Sequence, residues 1–248
     1  MSYRYRHYKH QNYTIAGFND KNPLGDLPLV SALMVTRGKE DFVNRSIISF
    51  SKQTWPNKEL VIVAESFNNT SLKLLKSNNI KYQLINQPKL LSLGDYRNLS
   101  VSHSTGDYVC IWDDDDYYCC NRITAMMSII KAAQCDIVFN EQIYIWWEER
   151  SILFLTSRRC WEGSMLAKRS CMGVYPSTQK GEDTFTSHNM MLHHKTALIQ
   201  EPSLYCYTVN GKNTCNNDHF QHLLNTSSCI CTGDQKKEIL DSFGIATD

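Results

Sequence analysis

Short apolar runs alternate with amphipathic segments along the first half of the chain, and this alternation limits the folds open to it. Runs such as 29–35 have the length of buried strands. Between the runs, apolar residues recur at helical spacing, as at Val43, Ile47 and Phe50. Such alternation predicts a parallel sheet with helices on both faces. The predicted strands are 29–35, 60–64, 81–85 and 108–112, and the predicted helices are 41–53, 70–77 and 94–104.

The second half of the chain has a different pattern. Three short predicted strands, at 137–140, 143–147 and 152–155, follow one another closely, and Glu148-Glu-Arg150 is a candidate hairpin turn between the last two. We therefore expect a smaller, mixed region after the parallel half. The interpretation divides the chain into an N-terminal arm at 1–27, a domain at 28–225 with halves 28–118 and 119–225, and a C-terminal tail at 226–248.

Composition and charge exclude several classes of protein. The formal net charge of +1 provides no basic field that attracts nucleic acid, so no nucleic-acid partner is expected. The N-terminus lacks the apolar region of a signal peptide, and no apolar stretch approaches the roughly 20 residues that cross a bilayer. We expect a soluble, cytoplasmic protein, with a peripheral association with the cytoplasmic membrane face and the oligomeric state left open.

The cysteines and the N-terminal cations are expected to have no special chemistry. The ten cysteines include no C-x-x-C pair, and several lie in apolar runs, where a thiol packs as a small hydrophobe. We therefore expect all ten to be reduced. Arg4, Arg6 and Lys9 lie among tyrosines in the arm. They are expected to be solvated, with contact to a membrane surface or an RNA as the alternative.

Four adjacent aspartates, 113–116, follow directly on the apolar run at 108–112. In an open parallel sheet, ligands bind beyond the carboxyl ends of the strands. Adjacent carboxylates repel one another in a confined cleft unless a cation offsets their charge. Mn²⁺ and Mg²⁺ take carboxylate and phosphate oxygens, and the alternate residues Asp113 and Asp115 are candidates for reaching one ion. The run predicts a divalent metal that holds a diphosphate, with an acidic surface loop as the alternative.

Four segments, taken in order, resemble the family 2 glycosyltransferases of GT-A fold. They are LVSALMVT at 29–36, KQTWPNKELVIV at 52–63, GDYRN at 94–98, and WDDDDY at 112–117, where the DxD motif of the family lies. The resemblance covers residues 28–220. It implies an α/β protein with a mostly parallel central sheet, helices on both faces and a smaller mixed second half.

The resemblance also implies an activity and its donor site. A sugar would pass, with inversion, from a nucleotide-diphospho-sugar to a hydroxyl of a glycan, lipid-linked or other acceptor, in polysaccharide or glycoconjugate synthesis. Asp113 and Asp115 would hold Mn²⁺ or Mg²⁺ on the donor diphosphate, with Asp114 beside them. Arg97 would approach the donor phosphates, because a guanidinium suits anionic oxygens.

Two departures from the family pattern concern the nucleotide. Family members usually have paired aspartates at the end of the second strand, the later of which reads the base, but this chain has Ala64 and Glu65. Many members have a Tyr-Asn pair after the first strand, where Arg37 and Gly38 follow Thr36. We expect Thr36 and Glu65 to contact the donor. A UDP-sugar is the first expectation, and the base remains open.

Three further assignments come from the resemblance. GEDTF at 181–185 is similar to the ED motif of the family, which makes Asp183 the general base for the acceptor hydroxyl, with Glu182 beside it at the acceptor. The alternative for Asp183 is a carboxylate that complements a helix dipole. Trp161 is a candidate for stacking on the acceptor sugar or, equally, for the core. His219 is a candidate for a further metal ligand.

Two other classes of protein remain as alternatives. A haloacid-dehalogenase-like phosphoryl-transfer enzyme also has aspartates after an apolar strand, but it needs Thr or Val shortly after its Asp pair, and Tyr117 follows here. A catalytically inactive nucleotide-sugar-binding module would account for Ala64 in place of an aspartate. The presence of Asp183 argues against that module.

Overall fold

The computed structural model describes residues 2–9, 14–17, 27–87 and 91–246. The strands are β1 (Ser2–His7), β2 (Thr14–Gly17), β3 (Val30–Thr36), β4 (Lys58–Ala64), β5 (Tyr82–Asn86), β6 (Tyr108–Ile111), β7 (Tyr117–Tyr118), β8 (Ile137–Asn140), β9 (Tyr144–Trp147), β10 (Ile152–Leu155), β11 (Trp161–Lys168), β12 (Thr196–Ile199), β13 (Tyr205–Val209) and β14 (Cys229–Cys231). The helices are α1 (Glu40–Ser51), α2 (Asn69–Ser77), α3 (Leu93–His103), α4 (Arg122–Ala133), α5 (Glu182–His193), α6 (Asn217–Asn225) and α7 (Gly233–Phe243).

The central sheet contains nine of the described strands, in the order β2-β1-β12-β8-β11-β6-β3-β4-β5. Strands β5, β4, β3 and β6 are mutually parallel. Strand β11 runs antiparallel to both of its neighbours, β6 and β8, and β12 runs parallel to β8. The parallel half predicted from the apolar runs is confirmed, and each predicted strand and helix of that half is present.

Helices cover both faces of the central sheet, as predicted. On β3, Ala32 and Met34 belong to the same buried cluster as Val43 and Ile47 of α1. Leu33, which lies between Ala32 and Met34 in the chain, belongs to a different cluster, and Val101 of α3 packs against that cluster. Because successive side chains of a strand point to opposite faces, a strand that is apolar throughout must be covered on both sides.

A second sheet follows the run of aspartates in the chain. Its order is β14-β10-β9-β13-β7, so its first strand, β7, begins directly after Asp116. The predicted hairpin is confirmed, because β9 and β10 are antiparallel and a short 3₁₀ turn at Glu148–Arg150 joins them. This sheet is the smaller mixed region that the second half of the sequence predicts.

The N-terminal residues do not form the expected arm. Strand β1 pairs antiparallel with β12 and β2, which makes residues 2–7 part of the central sheet. Tyr3 and Tyr5 are buried, and Nε of Arg6 lies 2.6 Å from a carboxylate oxygen of Glu141. Arg6 is thus an ion-pair partner rather than a solvated cation. The turn-rich piece at 22–26 lies outside the described residues.

The C-terminal residues are also part of the fold rather than a tail. Strand β14 pairs antiparallel with β10. In α7, Leu240 is fully buried and belongs to one cluster with Trp146 and Leu153 of the second sheet. Within the described residues, no helix has the length and apolar character that crossing a bilayer requires. All ten cysteines are described, and none is in a disulfide.

Candidate active site

A cleft of about 1180 Å³ opens where the central sheet faces the second sheet. Its floor is formed by residues that follow the carboxyl ends of β3, β4 and β6, the place that an open parallel sheet offers to ligands. Strands β9 and β13 and the first turns of α5 and α6 form its other walls. All ten site residues predicted from the sequence line this cleft: Thr36, Glu65, Arg97, Asp113, Asp114, Asp115, Trp161, Glu182, Asp183 and His219.

The first three aspartates after β6 are each hydrogen-bonded to a different part of the chain. Asp113 accepts from Arg97 on α3, at 3.2 Å. Asp114 accepts from the hydroxyl of Thr36 at the end of β3, at 2.5 Å. Asp115 accepts from the amide of Asn210, which follows β13, at 3.1 Å. These contacts hold the three carboxylates at the cleft and connect it to both sheets.

The closeness and burial of the aspartates change their pKa values. Burial, and then the charge of Asp115, raises the pKa of Asp114 to about 7, although the Thr36 hydroxyl acts in the opposite direction. Burial and the charge of Asp113 likewise raise the pKa of Asp115. Each raised pKa records that negative charge is unfavourable here without a cation to offset it. The cleft therefore favours a positive ion beside these groups.

Asp116, the fourth aspartate, does not line the cleft. Its side chain is buried, and it accepts hydrogen bonds from the hydroxyl of Tyr205 at 2.5 Å and from the backbone N–H of Thr208 at 2.8 Å. Asp116 thus joins the end of β6 to β13. Sequence reasoning gave it no role of its own, and the only signal was its position after the alternating pair of Asp113 and Asp115.

The GDYRN segment holds the part of the chain that leads to α5. Gly94 lies so close to the segment before α5 that a Cβ atom there would overlap the carbonyl oxygen of Pro176. The side-chain amide of Asn98 donates to the carbonyl of Tyr175 at 2.8 Å, and the Tyr175 N–H donates back to Asn98 at 2.9 Å. The start of α5 is thereby fixed against α3, which brings Arg97 to Glu182.

Arg97 joins the aspartates to the ED segment. Its Nε donates to Glu182 at 3.0 Å and its Nη1 to Asp113 at 3.2 Å, and Arg97 is 8% exposed. Glu182 is 3% exposed, and burial raises its pKa while Arg97 lowers it. We expected Glu182 at the acceptor. The structure shows its side chain buried against Arg97, and a contact between Glu182 and the acceptor stays a prediction.

Asp183, the neighbour of Glu182, faces the cleft. It is partly exposed, lies in the first turn of α5, and accepts a hydrogen bond from the N–H of Thr184 at 2.8 Å. Adjacent positions on a helix point about 100° apart. One carboxylate of the pair can therefore face the core while the other faces the cleft.

Trp161 and Arg159 form one wall of the cleft together. Trp161 lines the cleft but is 7% exposed, and the Arg159 guanidinium lies 4.2 Å from the centre of its ring. Arg159 is also paired with Glu162, at 2.6 Å. Trp161 thus belongs to the buried core and also lines the cleft. Stacking on a sugar remains a prediction.

His219 lies in the first turn of α6, where Asn216 caps the helix by accepting from its N–H at 3.2 Å. Burial and then the charge of Arg159 lower the pKa of this histidine, which favours the neutral imidazole. Among the described residues, the ligand atoms of Asp113, Asp115 and His219 do not all come within 4.8 Å of one another. A metal-binding role for His219 stays a prediction.

Several basic residues that sequence reasoning missed also line the cleft. Two of them, Lys39 and Lys212, come from the β3–α1 and β13–α6 connections, and Lys180 precedes α5. They lie in loops, where no period in the sequence indicates which way a side chain points. Their positions around the aspartates balance the charge of the cleft and suit a ligand that carries phosphates.

The fold and the acidic cleft define the class of this protein as a GT-A type α/β protein. The sequence profile of Glycosyl transferase family 2 matches residues 31–200. The chain therefore belongs to glycosyltransferase family 2. Membership in this family displaces the haloacid-dehalogenase-like alternative.

Two curated relatives match parts of the chain. One, from Escherichia coli, is the UDP-Glc:alpha-D-GlcNAc-diphosphoundecaprenol beta-1,3-glucosyltransferase WfgD, 27% identical over 103 residues that make up 41% of this chain and 41% of that protein. The other is an uncharacterized glycosyltransferase from Haemophilus influenzae, 24% identical over 110 residues, or 42% of this chain and 43% of the relative. The matched region thus spans about two fifths of either relative.

Solved structures share the fold at low sequence identity. TarS 1–349 of S. aureus in complex with UDP has a TM-score of 0.60 at 15% identity, over 86% of this chain and 70% of that one. The mannosyltransferase PcManGT from Pyrobaculum calidifontis, in complex with GDP-Man and Mn²⁺, has a TM-score of 0.56 at 14% identity, over 75% of this chain and 59% of that one. These similarities confirm the predicted fold.

Proposed function

We propose that this chain transfers a sugar, with inversion, from a nucleotide-diphospho-sugar to the hydroxyl of an acceptor. One observation carries the proposal: three aspartates after β6 and Asp183 at the start of α5 line the same cleft. The three aspartates suit the diphosphate of a donor, and Asp183 suits the proton of an acceptor hydroxyl. Membership of glycosyltransferase family 2 supports the same reaction.

The donor lies along the ends of β3, β4 and β6. Thr36 and Glu65 face the nucleotide, and Arg97 faces the phosphates, where its remaining donors suit anionic oxygens. A UDP-sugar is the first choice, since the names of WfgD and the TarS complex carry UDP. Glu65 accepts hydrogen bonds from the base on a side chain longer than the usual aspartate.

The cleft residues fit a divalent cation. Asp113 and Asp115 supply carboxylate oxygens, which Mn²⁺ and Mg²⁺ prefer as ligands. Burial first, and then the charge of a neighbouring aspartate, raises the pKa values of Asp114 and Asp115, and a nearby cation would offset both effects. His219 is the candidate for an additional ligand. When bound, the ion neutralises charge on the leaving diphosphate. The structural relative PcManGT was solved with Mn²⁺, which makes manganese the first ion to test.

Asp183 acts as the general base. The acceptor hydroxyl approaches the anomeric carbon from the side opposite the diphosphate and loses its proton to the Asp183 carboxylate. The new carbon–oxygen bond forms as the bond to the diphosphate oxygen breaks, so the configuration at that carbon inverts. Glu182 holds Arg97 in place during this step through the contact at 3.0 Å.

The acceptor is a lipid-linked sugar. On the proposed acceptor side, the cleft is lined by the largely buried apolar side chains of Ile143, Phe220 and Leu223 and by the basic groups of Arg159 and Lys180. This combination suits an amphiphile with a phosphate, and the relative WfgD is named for a diphosphoundecaprenol-linked acceptor. The protein then works in the cytoplasm at the membrane face that carries its acceptor.

Release of nucleoside diphosphate tests the proposal. The purified protein is incubated with a panel of sugar nucleotides and Mn²⁺, and we expect one donor to be hydrolysed slowly even without an acceptor. The variants Asp115→Ala and Asp183→Ala should lose this turnover, whereas Asp107→Ala, an exposed acid outside the cleft, should keep it. Unchanged turnover in both cleft variants would sink the assignment, and nucleotide binding without turnover on any donor would favour the inactive binding module.

A further inference from the structure

Three connections meet at the edge of the central sheet opposite the cleft. Asp136 precedes β8, Cys171 follows β11, and His194 precedes β12. Since β11 is antiparallel to β8 and β12 is parallel to it, the end of β11 and the beginnings of β8 and β12 lie at one edge. The aspartates follow β6, which is antiparallel to β11, so they lie at the other edge.

The three side chains converge. One carboxylate oxygen of Asp136, the Sγ of Cys171 and one ring nitrogen of His194 all lie within 4.8 Å of one another. Within the described part of the chain, this is the only group of three potential metal ligands among the His, Cys, Asp and Glu side chains that lies within that distance. The Asp136 carboxylate is already held by its surroundings, since it accepts from Nζ of Lys168 at 2.7 Å and from the N–H of Lys195 at 3.2 Å.

We propose that Asp136, Cys171 and His194 bind one zinc ion. Zinc takes a thiolate, an imidazole nitrogen and a carboxylate oxygen as ligands, at about 2.0–2.3 Å, which places the ligand atoms roughly 3.5 Å apart. The three ligand atoms lie within 4.8 Å of one another and must move closer together to reach that spacing. On binding, Cys171 releases its proton to solvent and a sulfur–zinc bond forms. The thiolate and imidazole distinguish this site from the all-oxygen aspartates of the cleft.

The fourth zinc position is open to water. His194 borders a cavity of about 450 Å³ that is lined also by His7 and Lys195. Three protein ligands beside such a space leave room for a water ligand. Lys168 competes with zinc for Asp136, because its ammonium group already forms an ion pair with that carboxylate. Zinc binding therefore displaces Lys168, which is 42% exposed and free to turn into solvent.

The zinc site would act on α5. His194 is the C-cap residue of α5, and the first turn of the same helix carries Asp183. An ion that ties His194 to β8 and β11 fixes the far end of the helix that presents the proposed base. The expected consequence is a higher unfolding temperature in the presence of zinc, independent of turnover.

Metal titration of the full chain tests the proposal. We expect one tightly bound equivalent of Zn²⁺, and with Co²⁺ as the probe a thiolate-to-metal charge-transfer band. Cys171→Ser should remove the band. His194→Asn should weaken zinc binding by at least about tenfold, because loss of a ligand should cost no less than loss of a group that orients one. Cys229→Ser and His188→Asn alter an exposed thiol and an exposed imidazole elsewhere and should change neither readout.

Two further variants separate this site from its alternatives. Lys168→Gln removes the competing ammonium group and should preserve or tighten zinc binding. If Asp136 and Lys168 formed only a structural ion pair, the variant would be less stable and would bind no zinc. Asp115→Asn disables the acidic cleft and should leave the charge-transfer band intact, so failure of the zinc site and failure of the proposed transferase give different results. Absence of the band, or a band that survives Cys171→Ser, would overturn the proposal.

Discussion

Arg97 and Glu182 are 85 residues apart in sequence, and they form a buried ion pair with Nε and Oε1 at 3.0 Å. Arg97 also reaches Asp113, so one guanidinium connects the aspartates at the end of β6 with the ED segment at the start of α5. The aspartates and the ED segment, the proposed donor and acceptor ends of the cleft, are thus held at a fixed separation. An inverting displacement needs such a fixed separation.

The first prediction concerns the stability of this pair. Arg97→Met leaves Glu182 buried without its partner, and removal of one member of a buried pair costs about 3–5 kcal/mol. The measurement is the free energy of unfolding in urea. The double variant, Arg97→Met with Glu182→Met, should lose less unfolding free energy than the two single variants together. In the double variant, neither member of the pair is left as a buried, unpaired charge. Additive losses would show that the two side chains are not coupled.

The second prediction concerns the general base. Asp183→Asn keeps the shape of the side chain but cannot take a proton, so kcat should fall about 10²–10⁴-fold. The KM for the donor should change little, because the proposed role of this carboxylate is at the acceptor. Asp234→Asn is the matched control, since Asp234 is an exposed residue in the first turn of α7. A change mainly in the donor KM would place Asp183 at the donor instead.

The third prediction concerns pH. Burial and Asp115 raise the pKa of Asp114 to about 7, above the value of about 3.9 in an unfolded chain. The folded protein then holds a proton that the unfolded chain has lost, so the stability from this group is present below about pH 4 and is lost as pH rises to about 7.

Urea unfolding between pH 4 and 7 without divalent metal measures this effect. A group that holds up to one extra proton in the folded state changes the free energy of unfolding by up to about 1.4 kcal/mol per pH unit. Replacement of Asp114 by Asn should remove this contribution to the slope. Mn²⁺ should reverse the trend, since a cation favours the charged form. An identical slope in the variant would mean that Asp114 is ionised in the folded protein across this range.

The fourth prediction concerns Asp116. Asp116→Ala leaves the Tyr205 hydroxyl and the Thr208 N–H without their acceptor in the interior, at a cost of about 1–3 kcal/mol for each. Asp116→Asn keeps an acceptor oxygen and should cost less. Thermal unfolding of both variants provides the comparison. Equal losses would show that the charge of Asp116, rather than its hydrogen bonds, matters for stability.

The fifth prediction concerns the loop after β3. Gly38 has a φ of 79°, and a Cβ atom there would overlap the carbonyl oxygen of Ser66. Gly38→Ala should therefore move the loop that carries Arg37 and Lys39 along the cleft and weaken nucleotide binding. Gly244→Ala is the control, because its φ is 71° but nothing lies within 4 Å of the added atom. Titration with UDP compares the two variants, and equal affinities would contradict the role of the close approach.

Local sequence patterns predicted the parallel half of the molecule, where apolar runs and helical periods are clear. Strands β3, β4 and β6 are uninterrupted apolar runs, and their order along the chain implies parallel pairing and a ligand cleft at their carboxyl ends. Five of the ten predicted site residues lie at or just after those strand ends and line the cleft for this reason: Thr36, Glu65, Asp113, Asp114 and Asp115. Helix α4 was missed, because it is buried over most of its surface and lacks the polar face that makes a helix visible in sequence.

The sequence by itself determined the parallel sheet, the aspartates at its rim and the carboxylates of the ED segment, because these depend on side-chain pattern within short stretches. Only the tertiary structure decided that Glu182 turns inward to Arg97 while Asp183 faces the cleft. It also decided that β1 extends the sheet and that Asp136, Cys171 and His194 meet. Such outcomes depend on contacts between segments far apart in the chain, which no local period records.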